Sequence, residues 1–246
     1  MNKHLEIRWL TAFIDRPAAT FDASVAFWAE ITASSLSAPR GDNHQFATLL
    51  PQAGDAYLRV QRSAEGPRVH LDLHVEDVDA ARDLAEQHGA KTIDSRSTTI
   101  MTSPGGFVFC LVAHHGESSV PPPVAGVQLS RVNQLSIDIP PSLYERESAF
   151  WSGLTGWNRI SSDHYDEFTF LDAGPHLPLR VLLQRLGTDH VGDRAEAHLD
   201  IGCGPHKDAM TAAHAALGAT AMTVGQHWNV MKDPSGSLYC LTSRDP

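Results

Sequence analysis

Residues 68–90, RVHLDLHVEDVDAARDLAEQHGA, and residues 196–219, EAHLDIGCGPHKDAMTAAHAALGA, are two versions of one design. Each opens a strand-like segment with His-Leu-Asp and follows it with a helix that stops at Gly-Ala. In the first version His70, Asp72 and His74 alternate with Leu71, Leu73 and Val75, which predicts a strand with one polar and one apolar face. Asp77 stands where an N-cap is expected, and Val78, Ala81, Leu84 and Ala85 recur at helical spacing behind it.

Working outward, the likeness extends over the whole chain. Ala26-Phe27-Trp28 returns as Ala149-Phe150-Trp151, Leu58-Arg59-Val60 as Leu179-Arg180-Val181, and SPGGFVFCL (103–111) as DPSGSLYCL (233–241), in the same order. The halves therefore read as two copies of one domain, 1–115 and 128–246, joined by a Pro-rich linker at 116–127. The three consecutive prolines of that linker continue neither a helix nor a central strand. Each half divides again into two pieces of strand, helix and two or three strands. In the first piece, EIRWLTAFID reads as a strand, DASVAFWAEITA as a helix with Asp22 at its N-cap, and FATLLP and AYLRVQR as strands about the Gly54-Asp55 turn.

Composition narrows the partners. Asp and Glu number 29 against 19 Lys and Arg, a formal charge of −10, which repels a phosphate backbone and an anionic bilayer face. No nucleic acid and no membrane is expected as partner. The N-terminus lacks an apolar signal core, and the three cysteines show no CxxC spacing, so a cytoplasmic protein without disulfides is expected. Either a monomer or a homodimer suits a chain that carries two full copies.

The repeated unit, with HLDLHVEDVDAARDLAEQHGA and the DPSGSLYCL ending, resembles the vicinal oxygen chelate (VOC) superfamily: glyoxalase I, bleomycin-resistance proteins and extradiol dioxygenases. The AFW helix motif resembles its bacterial glyoxalase-like subgroup. The resemblance implies an α+β fold of tandem VOC domains, each made of two βαβββ units that form an incomplete barrel around a cleft. It also implies metal-ligand positions: a His or Gln in the first strand, a His opening the fifth, and a Glu in the last. Gln134, His198 and Cys240 stand at those positions in the second half, and Thr11, His70 and Cys110 in the first. Neither half has the final carboxylate. No cofactor is expected in the first half, and a divalent metal, zinc by the softness of a thiolate, stays open in the second.

Other candidates follow from alternation. His70 and Asp72, or His198 with its partner Asp200, pair an imidazole with a carboxylate that orients it as a general base. Asp72 and Asp200 equally serve a satisfied polar network with no chemistry. Trp9, Thr11 and Phe13 share one strand face and His74 shares that of His70, giving apolar and polar walls for a small-molecule ligand. His227 and Trp228, placed in the strand before the DPSGS turn, are further ligand contacts. Arg8 and Arg131 are expected on the opposite face from Thr11 and Gln134, as surface or packing residues. Two functions stay open: a lyase, isomerase or oxygenase of glyoxalase-like type acting on a small organic molecule, and a protein that sequesters one.

Overall fold

The structure, a computed structural model, describes residues 4–190 and 192–246. The first half runs β1 (Trp9–Pro17), α1 (Phe21–Ile31), β2 (Ser35–Leu36), β3 (Phe46–Leu50), β4 (Leu58–Ser63), β5 (Arg68–Val75), α2 (Val78–Gln87), β6 (Lys91–Asp94), β7 (Thr99–Thr102) and β8 (Val108–Ala113). The second runs β9 (Val124–Ala125), β10 (Leu129–Ile139), α3 (Tyr144–Thr155), β11 (Arg159–Ser161), β12 (Phe168–Leu171), β13 (Arg180–Arg185), β14 (Glu196–Gly202), α4 (Lys207–Ala216), β15 (Thr220–Val224), β16 (Trp228–Lys232) and β17 (Leu238–Thr242).

Two open, mixed sheets result, with strand orders β2-β3-β4-β1-β5-β8-β7-β6 and β11-β12-β13-β10-β14-β17-β16-β15; β9 pairs with β10 beside the second. Strands β1 and β4, β5 and β8, and β14 and β17 run parallel, and the hairpins between them antiparallel. The order is the same in both halves, so the chain is an α+β tandem repeat. Among the described residues no helix is long and apolar enough to cross a membrane.

The quoted stretch folds as its pattern dictates. Asp77 caps α2, accepting from the Ala80 amide at 2.9 Å, and Gly89 and Gly218 end their helices at φ of 100° and 98°, a region that L side chains avoid. The expectation for α1 is corrected: Thr20 is the N-cap residue, and Asp22 lies within the first turn, paired with Arg62 at 3.1 Å. Burial of β5 is complete beyond Arg68, so its polar face is enclosed by protein rather than by water.

By proximity the chain divides into two compact units. One comprises Met1–Thr11, His70–Ser118 and Leu135–Ala197; the other comprises Ala12–Val69, Ser119–Gln134 and His198–Pro246. Each takes one βαβββ piece from each half, and the repeated AFW motif shows how. In the first unit Phe150 and Trp151 of α3 pack on Phe109 of β8, with ring centroids 5.9 and 5.4 Å away. In the second, Phe27 and Trp28 of α1 pack on Tyr239 of β17 at 5.8 and 5.5 Å. Each such buried ring contributes about 1.5–3 kcal/mol by leaving water.

A buried carboxylate secures each contact, from opposite sides. In the second unit Asp233 of the DPSG turn accepts from Arg16 Nη2 at 2.8 Å, Trp28 Nε1 at 2.9 Å and Ser24 Oγ at 3.2 Å. In the first unit the turn carries Ser103 in that place, and the carboxylate comes from the helix, where Ser24 stood in the other copy. Glu147 accepts from the Gly105 amide at 2.6 Å and from Trp151 Nε1 at 2.8 Å.

Candidate functional site

The two HLD strands each build a three-residue cluster. Parallel pairing sets Asp72 beside Cys110 and Asp200 beside Cys240 in register, and registered neighbours in a sheet share a face. The ring nitrogens, carboxylate oxygens and sulfurs of His70, Asp72 and Cys110 all lie within 4.8 Å of one another, as do those of His198, Asp200 and Cys240. The carboxylate missing from the last strand is thus supplied two residues along the histidine strand. Sequence reading missed that role because it sought the acid only at the family's last-strand position.

The surroundings differ. In the first cluster His70 Nε2 is 3.7 Å from Asp72 Oδ1. Behind it His74 Nε2 meets Thr11 Oγ1 at 2.9 Å, and His74 Nδ1 lies 3.6 Å from Glu117 Oε1. Burial would raise the Glu117 pKa, but backbone hydrogen bonds and the charges of His74 and His114 hold it below the usual carboxylate range. Thr11 and Trp9 are fully enclosed. In the other compact unit, Phe13 packs edge-on to Phe46 at 6.2 Å, with the Arg59 guanidinium 5.7 Å from its centroid.

In the second cluster His198 Nε2 lies 3.2 Å from Asp200 Oδ1 and 3.6 Å from Cys240 Sγ. The Gln134 amide nitrogen donates to Asp200 Oδ2, and the Gln134 oxygen accepts from Arg244 Nη1; Arg244 Nη2 reaches Asn133 Oδ1 at 3.1 Å. A carboxylate needs the NH₂ and a guanidinium needs the oxygen, so this orientation of Gln134 is fixed by its neighbours. Gly202, in the position of His74, makes room for this arrangement. A Cβ there would stand 2.5 Å from Asn133 Nδ2 and 2.6 Å from the Asp245 carbonyl. Arg244 and Asn133 carried no signal in the sequence beyond that glycine.

The remaining candidates fall into place. Trp228 opens β16 and, through the Val230–Cys240 register, shares the face of Cys240. His227 lies in the bend before β16 rather than in the strand, its carbonyl accepting from the Ser243 amide at 2.8 Å. Arg8 is exposed and paired with Glu6 and Glu76 at 2.9 and 3.0 Å, the surface role expected of it. Burial pushes the Cys203 thiol up to about 12, so it stays protonated and packs as a small apolar group.

Both clusters converge imidazole, carboxylate and sulfur, a donor set that suits zinc more than a hard ion such as manganese or magnesium. The oxygen of Gln134, expected as a ligand, accepts from the cation of Arg244. Residues that fit an ion in the second half are His198, Asp200 and Cys240.

The fold is that of a VOC protein. The model of the glyoxalase-like domain family matches residues 11–112 and 135–242, and the chain belongs to that family. No curated protein matches it. Among solved structures it resembles the Mn(II)-bound glyoxalase from Novosphingobium aromaticivorans, at 18% identity and TM-score 0.65, over 98% of this chain and 83% of that one. The 2,2′,3-trihydroxybiphenyl 1,2-dioxygenase from Sphingomonas wittichii strain RW1 matches at 14% identity and TM-score 0.64, over 96% and 90%. The 2,3-dioxygenase LapB from Pseudomonas sp. KL28 matches at 10% and 0.66, over 98% and 93%. At these identities the likeness is one of fold.

Proposed function

We propose that this chain binds a small organic molecule at the second-half cluster and moves a proton to or from it through His198. The observation that carries this reading is the 3.2 Å approach of Asp200 Oδ1 to His198 Nε2. In this reading the ring proton sits at Nε2, on the side of Asp200 and Cys240, and the Nδ1 lone pair is the base. A carbonyl compound gives its α C–H proton to Nδ1 as an enolate forms, and the protonated ring returns that proton at a different atom of the enolate to give the isomeric product. Arg244, bonded to Gln134 in the same network, puts a positive charge near that developing anion. Trp228 on the Cys240 face and the neighbouring strands supply an apolar wall. The same reading keeps the repeats at 1–115 and 128–246 with 116–127 between them, the first cluster serving as a polar wall.

A screen of small carbonyl compounds tests it. At least one is expected to raise the melting temperature and to be consumed. A ligand that stabilises without being consumed would instead identify a sequestering protein.

The donor set also favours a second reading, in which His198, Asp200 and Cys240 hold a zinc ion. Such an ion would supply Lewis acidity at a substrate oxygen. Equilibrium dialysis against zinc checks this without an activity assay: one equivalent bound by wild type and lost in Cys240→Ser supports it, and binding below a tenth of an equivalent rejects it.

A further inference from the structure

Away from both clusters, the second unit encloses a cavity of about 270 Å³. Its walls are the end of α1 at Ile31, strands β3 and β4 at Leu49 and Leu58, Val132 of β10, and the proline segment 121–125. That segment is held in place as a wall. Asp55 and Ser119 exchange two hydrogen bonds, from the Asp55 amide to the Ser119 carbonyl at 2.7 Å and from the Ser119 amide to Asp55 Oδ2 at 2.8 Å. Past the prolines, Val124 and Ala125 pair with Ser130 and Leu129 of β10. The nearest atoms to a Cβ built on Gly54 would be the backbone of Pro121 and Ser119, at 2.8 Å, so the β3–β4 turn fits closely against the segment.

One charged group lines this apolar space. Arg131 is half-buried, and its Nε is enclosed without a hydrogen-bond partner. Among the described residues no carboxylate forms an ion pair with it. Thr32, Ser34 and Gln52 add neutral polar groups to its wall, and Tyr57 donates its hydroxyl to the Val132 carbonyl at 2.8 Å. Burial raises the phenol's pKa, partly offset by Arg131, so Tyr57 stays neutral and provides no counter-charge. A guanidinium facing an apolar cavity with an idle Nε–H is costly unless an anion completes it. A carboxylate matches the fork of Nε and one Nη with two parallel hydrogen bonds.

We propose that this cavity is a second binding site, separate from the His198 cluster, for a small apolar monocarboxylate whose acid group pairs with Arg131. Its volume sits near the lower end of small-molecule pockets, roughly 300 Å³, which suits an acid of benzoate size. Arg131 alternates with Gln134 along β10 and so projects to the other face of that strand, which keeps the two sites chemically independent.

Calorimetry and thermal shift with benzoate, hexanoate and cyclohexanecarboxylate, against uncharged benzamide, test the proposal on the whole chain. At least one acid is expected to bind with 1:1 stoichiometry and to raise the melting temperature, with benzamide about tenfold or more weaker. Arg131→Gln should weaken the acid by about tenfold or more, and Val124→Trp, which fills the cavity from its wall, should abolish binding. His198→Gln should bind the acid as wild type does. No binding of any of the three acids, or undiminished binding by both Arg131→Gln and Val124→Trp, overturns the proposal. Loss of binding in His198→Gln also overturns it, since the acid would then occupy the other site. If Arg131→Gln fails to fold, Val124→Trp decides alone.

Discussion

The clusters at His70 and His198 hold the same three side chains in the same register, yet they are backed differently. Behind His70 the strand continues to His74, which fills its space against Thr11 and Glu117. Behind His198 the equivalent position is Gly202, and the chain's last residues fold into the room it leaves, bringing Arg244 onto Gln134. The His198 side chain keeps 13% of its surface exposed against 7% for His70, and its carboxylate partner is closer. Histidine at this position in one repeat and glycine in the other thus go with an enclosed polar network in the first half and a network that reaches the cation of Arg244 in the second. The two buried carboxylates differ in the same spirit: Asp233 bonds the buried cation of Arg16, while Glu147 is bonded by neutral donors at Ser103, Gly105 and Trp151, with Arg146 acting on it through charge alone.

The largest effect expected from this contrast is on turnover. His198→Gln should lower the rate for a substrate found by the screen by about 10²- to 10⁴-fold, and His70→Gln should leave it within about twofold; equal losses would erase the distinction between the halves. Next comes stability. Asp233→Ala strands a buried guanidinium and should cost about 3–5 kcal/mol in urea unfolding. Glu147→Ala leaves only neutral donors unsatisfied and should cost about 1–3 kcal/mol.

Gly202→Ala should cost about 1–3 kcal/mol, because its Cβ would displace Asn133 and the Asp245 carbonyl. Its informative readout is ligand affinity, expected to fall as Arg244 loses its seat. Smallest are two opposing pH slopes. Burial holds Glu147 above its ordinary value, so the folded state keeps its proton longer than the unfolded one. Stability falls as pH rises from the ordinary carboxyl range to the folded value. At Asp233 burial pushes upward too, but Arg16, Ser235 and Trp28 together hold the group low. Its contribution is present above the ordinary carboxyl range and is lost as pH falls. Unfolding titrations of Glu147→Gln and Asp233→Asn should each flatten one slope and leave the other.

Much of this was legible in the chain. Period-two alternation in RVHLDLHV and the Asp77 cap fixed β5 and α2, because both are local consequences of side-chain geometry. The internal repeat foretold two like sheets. What escaped was set by distant backbone. Pairing of AFW helices with the last strand of the other repeat leaves no local trace, since Phe and Trp in a helix mark burial without naming the partner. The Asp200 carboxylate was visible but assigned to support, because convergence with Cys240 depends on the parallel register of β14 with β17. Arg131 was expected as a surface or packing residue from alternation alone; its cavity exists because the proline segment folds back as a wall.

Two like clusters that do unlike work are told apart by ring-labelled histidine NMR. With His70→Gln and His198→Gln used to assign the resonances, wild-type protein is titrated with a compound from the screen. The His198 ring is expected to shift to saturation while the His70 ring stays in place; a saturating shift at His70 with His198 unmoved would show that the first cluster, not the second, takes the ligand.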